Sequence, residues 1–210
     1  MIFTPSEMAH QDAYKLAVGA VVPRPIAFVS TRSRAGVDNL APFSFFTVVC
    51  ANPLTIAFSP MRKGPQALKK DTLVNIEETG EFVVNVVDES YVGPMNTTSA
   101  DYEPEESEFV FAGLTPEPSE VVAPPRVGES PIQMECKLLQ VVEVSDRPGG
   151  GSLVIGTVVR MHVRDDLYEN GRILLERWRP LGRMAGATFA RCTDTFDLAR
   201  PTTPERPAKV

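Results

Sequence analysis

The sequence predicts a mainly β, antiparallel domain with a few short helices. Apolar and polar residues alternate with a period of two in the stretch beginning at Arg24 and again beyond Pro131, the period of a strand with one buried face. Short β-branched runs are punctuated by Gly, Asn and Pro. Most of the 19 prolines fall in connecting stretches, among them Pro23, Pro53, Pro60, Pro65, Pro104, Pro124 and Pro148, where a missing N–H costs no ladder hydrogen bond. At 210 residues the chain can bury one substantial core. A single domain over residues 1–200 is expected, followed at 201–210 by a flexible tail, PTTPERPAKV, with no apolar period.

In RPIAFVSTRSRAGVDNLAPFSFF, from Arg24 to Phe46, Ile26, Phe28 and Ser30 alternate with Ala27, Val29 and Thr31. Gly36, Asp38 and Asn39 supply turn chemistry, and a second strand is expected where Phe43, Phe45 and Thr47 alternate with Ser44, Phe46 and Val48. LTIAFS, from Leu54 to Ser59, lies between Asn52-Pro53 and Pro60 and reads as a third strand. Asp71-Thr72 opens a short helix that places Leu73 and Ile76 three apart and stops at Thr79-Gly80. EFVVNVV, from Glu81 to Val87, is a β-branched strand. A polar, helical or irregular excursion holds Met95, Asn96, Asp101 and Tyr102, and its acidic run from Glu103 to Glu108 is expected to be a solvated connection. From Pro131 to Val144, Ile132, Met134, Cys136 and Leu138 alternate with Gln133, Glu135 and Lys137 as in a half-buried strand. Asp146 to Gly151 turns the chain. The returning strand sets Leu153, Ile155, Thr157, Val159, Met161 and Val163 on one face and the more polar set Val154, Gly156, Val158, Arg160, His162 and Arg164 on the other.

Asp and Glu outnumber Lys and Arg by 27 to 21, which leaves no extended cationic face for a nucleic-acid backbone. No stretch approaches the roughly 18 apolar residues of a membrane span, and the N-terminus lacks a basic region followed by an apolar one, so a cytoplasmic protein is expected. Cys50, Cys136 and Cys192 are far apart without a CxxC pair and are expected to be reduced and structural. GxGxxG, GxxxxGK[ST] and GxSxG motifs are all missing. With only His10 and His162 present, no histidine metal site is expected either. These absences assign the chemistry to a cofactor.

Three ordered segments carry a family resemblance: Arg24 to Phe46, SPMRKGPQALKKDTLVNI from Ser59 to Ile76, and RPLGRMAGATFAR from Arg179 to Arg191. Together they resemble the flavin reductase-like, FMN-binding split-barrel family, closest to its flavoredoxin-like branch, over about Gly19 to Arg191. The resemblance implies a Greek-key split β-barrel that forms a homodimer with FMN near the subunit interface. It also implies NAD(P)H-dependent flavin reduction, with hydride passing from nicotinamide to flavin N5 and with an oxygenase or electron-transfer protein as downstream partner. An FMN-bound electron carrier and a non-catalytic FMN-binding module are the alternatives.

FMN needs an anion site for its phosphate, polar contacts for the pyrimidine edge and an apolar wall. At the phosphate end the resemblance implies Ser59, Arg62, Lys63, Gly64 and the helix start at Thr72. Read alone, Arg62, Lys63, Lys69 and Lys70 are an ordinary solvated basic turn. At the ring end it implies Asn39, Leu40, Ala41, Pro42 and Ser44, with Phe45 or Phe46 covering the edge. Backbone N–H groups from Ala41 to Phe46 would face the charge of reduced flavin. His162 is implied as a further flavin contact, against the plainer reading of a half-exposed strand histidine. Arg183 and Phe189, in a Gly-Arg-x-x-Gly pattern followed by an aromatic, are implied at the ring edge or the nicotinamide nucleotide. Phe189 stands where many members have Tyr, and the plainer reading puts Arg183 near Trp178.

Overall fold

A computed structural model describes residues 1–201. The tail expected at 201–210 lies, beyond Pro201, outside the described residues. In chain order the elements that position the site are α1 (His10–Ala20), β1 (Ala27–Arg32), β2 (Asp38–Phe43), β3 (Phe46–Ala51), β4 (Leu54–Phe58), α2 (Asp71–Thr79), β5 (Glu81–Val86), α3 (Val92–Thr97), α4 (Glu108–Ala112), β6 (Pro116–Glu117), β7 (Arg126–Val127), β8 (Ile132–Glu143), β9 (Ser152–Val163), β10 (Tyr168–Glu169), β11 (Arg172–Ile173), β12 (Leu181–Arg183) and β13 (Phe189–Arg191).

Seven strands form one antiparallel sheet in the order β2-β1-β5-β8-β9-β4-β3. Its two edge strands, β2 and β3, are consecutive in the chain and separated only by Ser44 and Phe45. A sheet whose opposite edges are tied by two residues must curl, and the result is a barrel split along the β2/β3 seam. The expected mainly β, antiparallel split barrel with a few short helices is therefore what forms. The first hairpin differs in detail. Asp38 and Asn39 belong to β2 and pair with Arg32 and Thr31, so the turn is Ser33 to Val37, with Gly36 at φ 86. The strand expected through Phe43 to Val48 breaks at Ser44-Phe45, where the chain changes edge.

Two cores flank β1, which is why it is buried on both faces. Ala27 and Val29 point into the barrel with Phe43, Phe58, Phe82 and Met134, and Leu73 and Ile76 of α2 plug one end of it. Phe28 points outward, into a second core with Leu40, Tyr91, Met95, Phe109 and Leu181. Helix α2 ends as the sequence implies, on Gly80 at φ 73 with its N–H on Ile76 O.

The β8–β9 hairpin departs from simple alternation. Ile132 to Cys136 are buried on both faces, because the 116–130 segment covers the polar side. On β9 the residues that enter the barrel are Val154 and Val158, from the face that reads as the more polar one. Gly156 lies between them because a Cβ there would sit 2.3 Å from Phe82 Cζ. Helix α1 has no cap signal and buries only Val18, so its one local cue is Tyr14, Ala17 and Val18 at helical spacing. Cys136 is a core residue, whereas Cys50 is exposed on β3 and is not a packing residue.

Candidate functional site

The cleft is built around β2. At its first residues Asn39, 8 % exposed, accepts hydrogen bonds at Oδ1 from Thr72 Oγ1 (2.7 Å) and Thr31 Oγ1 (3.3 Å), and Asn75 Nδ2 donates to Thr31 Oγ1 at 3.0 Å. Asn39 Nδ2 donates to Glu108 Oε1 at 2.7 Å, and Leu40 N donates to Glu108 Oε2 at 2.8 Å. The end of the expected solvated connection is thus a buried carboxylate on α4 that holds β2. Burial pushes the Glu108 carboxyl above the usual range, and Asp71 adds repulsion, against the hydrogen bonds from Leu40 and Asn39.

Beyond this network the cleft opens between β2, the start of α2 and the segment after α3. Ala41, Pro42, Lys63, Lys70, Thr72, Thr98 and Asp101 line it. Lys63 Nζ lies 3.8 Å and Lys70 Nζ 3.7 Å from the same Asp101 Oδ1. Both lysines line the cleft with Asp71 and Thr72 of the first turn of α2, a turn whose leading N–H groups have no partner within the helix.

Pro42 continues the cleft in two directions. One branch is lined by Tyr14, Phe43, Ser44, Phe45, Ser59, Met61 and Lys70. The other is lined by Tyr14, Ile26, Ser44, Met95, Asn96, Ser99, Arg183 and Phe189. Arg183 lies over the Phe189 ring, 4.5 Å from its centroid. Gly182 lets β12 approach the segment between α1 and β1, since a Cβ there would come within 2.5 Å of Pro23 Cβ. Arg24, 6 % exposed, ties these parts together. It donates to Val18 O and Val21 O at the end of α1 (both 2.8 Å), to Met184 O (2.9 Å) and to Ser44 Oγ (3.3 Å), and its guanidinium stands 5.9 Å from the Phe45 ring centroid.

Of the residues expected from the sequence, Asn39, Ala41, Pro42, Ser44, Phe45, Ser59, Lys63, Thr72, Arg183 and Phe189 come together on this cleft. Leu40 turns into the second core and Phe46 packs against the barrel core. Gly64, at φ 65, forms the turn that returns the chain from Lys63 to Leu68. Arg62 faces away, its buried side chain paired with Glu143 on β8. His162 is also elsewhere: its Nε2 lies 2.6 Å from Glu135 Oε1. Glu135 is fully buried and accepts from the backbone N–H groups of Glu120 (2.9 Å), Val121 (2.6 Å) and Val122 (3.0 Å). Burial alone would raise its carboxyl, but these bonds and His162 leave it below the usual range. Lys70, Asp101, Glu108, Arg24, Tyr14 and Met95 were not read as site residues. Lys70 was legible, standing at the N-terminus of an expected helix, while the others depend on contacts far apart in the chain.

Residues 18–182 match the flavin reductase like domain family. The chain belongs to that family. The uncharacterised protein BH2278 from Halalkalibacterium halodurans is 47 % identical over 204 residues, covering 96 % of this chain and 97 % of the relative. Among solved structures, nitrilotriacetate monooxygenase component B from Bacillus cereus is 44 % identical with a TM-score of 0.90, covering 94 % of this chain and 98 % of that one. The 2-nitrobenzoate 2-nitroreductase NbaA of Pseudomonas fluorescens is 32 % identical with a TM-score of 0.86, covering 96 % and 97 %. A flavin-binding oxidoreductase function follows from membership in the flavin reductase-like family. Among the described residues no helix is long and apolar enough to cross a membrane.

Proposed function

We propose that the chain binds FMN in the cleft along β2 and acts as an NAD(P)H-dependent flavin reductase. The observation that carries this reading is the polarity of the cleft. One end holds two ammonium groups directed at a single point beside the α2 N-terminus, and the other holds the Arg183–Phe189 stack beside the small, hydroxyl-bearing Ser44. A mononucleotide with an anionic tail and a planar head has the same polarity. When bound, FMN supplies the hydride acceptor and the nicotinamide nucleotide the donor.

The chain's residues have four tasks. Lys63, Lys70 and the first turn of α2 bind the phosphate electrostatically. Pro42 and the neighbouring β2 backbone present a rigid floor, because Glu108 and Asn39 hold that strand from behind. Arg24 fixes Ser44 and Phe45, so polar groups are already in place where negative charge develops. Arg183 and Phe189 offer a flat cationic and aromatic surface that orients a second planar ring. No side chain here has to exchange a proton, which suits a cleft without a histidine.

The same reading includes a homodimer. Strand β3 is an edge strand with Val48 60 % and Val49 52 % exposed, and across β4 from it the β8–β9 hairpin leaves Leu139 and Val142 exposed as well. Long apolar edges of this kind are normally covered, and a second copy of the chain presents a matching one. A downstream oxygenase or electron-transfer protein as acceptor fits a reductase that hands on its electrons, and the similar Bacillus cereus protein is a component of a monooxygenase.

The test is an anaerobic absorbance titration of the FMN-loaded protein with NADH and then NADPH. Bleaching of the flavin bands that continues through excess free FMN supports a reductase and reveals the nucleotide preference. Bound flavin that neither nucleotide reduces overturns the reductase and leaves an electron carrier or binding module. Light scattering tests the dimer, which a monomeric FMN-bound protein would refute.

A further inference from the structure

We propose that Asp101 is an internal counter-ion that occupies the phosphate position of the cleft and yields it to the ligand, so that this one side chain sets how strongly the protein prefers a phosphorylated flavin to an unphosphorylated one. The proposal rests on the assignment of FMN to this cleft and extends it to a residue that no sequence motif marks.

Two ammonium groups from different segments converge on the same carboxylate oxygen. Lys63 reaches Asp101 Oδ1 at 3.8 Å from the turn after β4, and Lys70 reaches it at 3.7 Å from the residue before α2. Neither distance is that of a tight hydrogen bond, so both lysines are held by charge and not by geometry. Their side chains are about a third exposed, and that of Asp101 is 65 % exposed. An exposed carboxylate can rotate into water at small cost, whereas the lysines stay beside the α2 N-terminus. A phosphate brings more charge and more acceptor oxygens than a carboxylate, and so it displaces Asp101.

The strap that carries Asp101 is fixed at both ends. Thr98, 2 % exposed, donates from Oγ1 to Met95 O at 2.8 Å, and at the other end Glu108 grips Asn39 and Leu40. Between these points Tyr102 stacks on Phe111 with ring centroids 4.8 Å apart. The Asp101 side chain can therefore leave while its backbone remains, and it stays next to the bound phosphate as a nearby negative charge. It opposes the phosphate twice, by competing for the lysines in the empty cleft and by repulsion in the filled one.

The experiment measures the dissociation constants of FMN and riboflavin, by flavin fluorescence at two salt concentrations, for the wild type, Asp101→Asn, Lys70→Gln and the double variant. Asp101→Asn is expected to tighten FMN roughly three- to tenfold and leave riboflavin unchanged, the range that two exposed ion pairs supply. The gain should shrink at high salt and should be smaller in the Lys70→Gln background. If FMN and riboflavin tighten equally, or if FMN binding is unchanged or weaker in Asp101→Asn, the counter-ion role is overturned while the FMN assignment stands. A wild type that binds neither flavin overturns both.

Discussion

The side chain of Asn39 and the carboxylate of Glu108 meet at 2.7 Å under the floor of the cleft, joining a strand of the barrel to a helix 69 residues further along the chain. Through this contact and the one to Leu40 N, a helix of only five residues fixes the strand on which a ligand would lie. Replacing Glu108 by Gln turns an N–H group toward one of two N–H donors. It is expected to cost about 1–2 kcal/mol at acid pH, measured by urea unfolding. Because burial raises the folded Glu108 above the unfolded value, its contribution is complete below the ordinary carboxylate range and is lost as pH rises through the folded value. The gap between wild type and Glu108→Gln should therefore narrow toward neutral pH.

Glu135 has the opposite sign. Its carboxyl is held below the usual range by Glu120, His162, Val121 and Val122 despite burial, so its stabilisation is present above the unfolded value and disappears as pH falls through the folded one. Glu135→Gln should destabilise the protein by about 3 kcal/mol at neutral pH, with the difference closing in acid. Amide exchange within residues 120–122 should rise in the variant, because the carboxamide keeps only one of the two oxygens that accept from these three N–H groups.

Lys70 and Arg62 separate the cleft from its surroundings. Lys70→Gln should weaken FMN about fivefold in equilibrium dialysis with little effect on riboflavin. Arg62→Gln should leave FMN affinity within twofold, since that guanidinium is committed to Glu143. A large loss in Arg62→Gln alone would place the phosphate on the other side of the 59–64 turn.

Gly156 is a packing requirement of the barrel. An alanine Cβ would lie 2.3 Å from Phe82 Cζ and 2.7 Å from Cε1, so Gly156→Ala should lower stability by about 2–3 kcal/mol in urea unfolding. Combining it with Phe82→Leu should cost less than the two single changes added together, because the smaller side chain clears the clash.

Much of the fold is legible along the chain. Alternation marked β1, β8 and β9, an apolar run between prolines marked β4, β-branched residues marked β5, and the spacing of Leu73 and Ile76 together with Gly80 marked α2. Features set by distant contacts were not legible. The break at Ser44-Phe45 arises because the chain must cross between sheet edges, which local alternation does not reveal. Glu108 lies in an acidic run and Glu135 in an alternating strand, and in both cases the residues that bury them come from other segments. Of the residues expected at the cleft, those in short motifs at Ala41 to Phe45, Lys63, Thr72, Arg183 and Phe189 come together along it, whereas Arg62 and His162 lie elsewhere. At those two positions a basic turn and a polar strand face are ambiguous about which way each side chain points.

The two residues that join β2 to β3 make the cleft part of the barrel's closure. Ser44 and Phe45 border the cleft and are also the short tether between the two outermost strands, with Ser59 N donating to Phe45 O at 2.8 Å on the far side. Pressure on that tether from within the cleft is shared by strands at opposite margins of the sheet, like a clasp that draws both ends of a band. Occupancy of the cleft should in this way act on the roundness of the whole barrel, and a ligand seated against Ser44 is expected to raise amide protection in β2 and β3 together, although the two strands share no ladder.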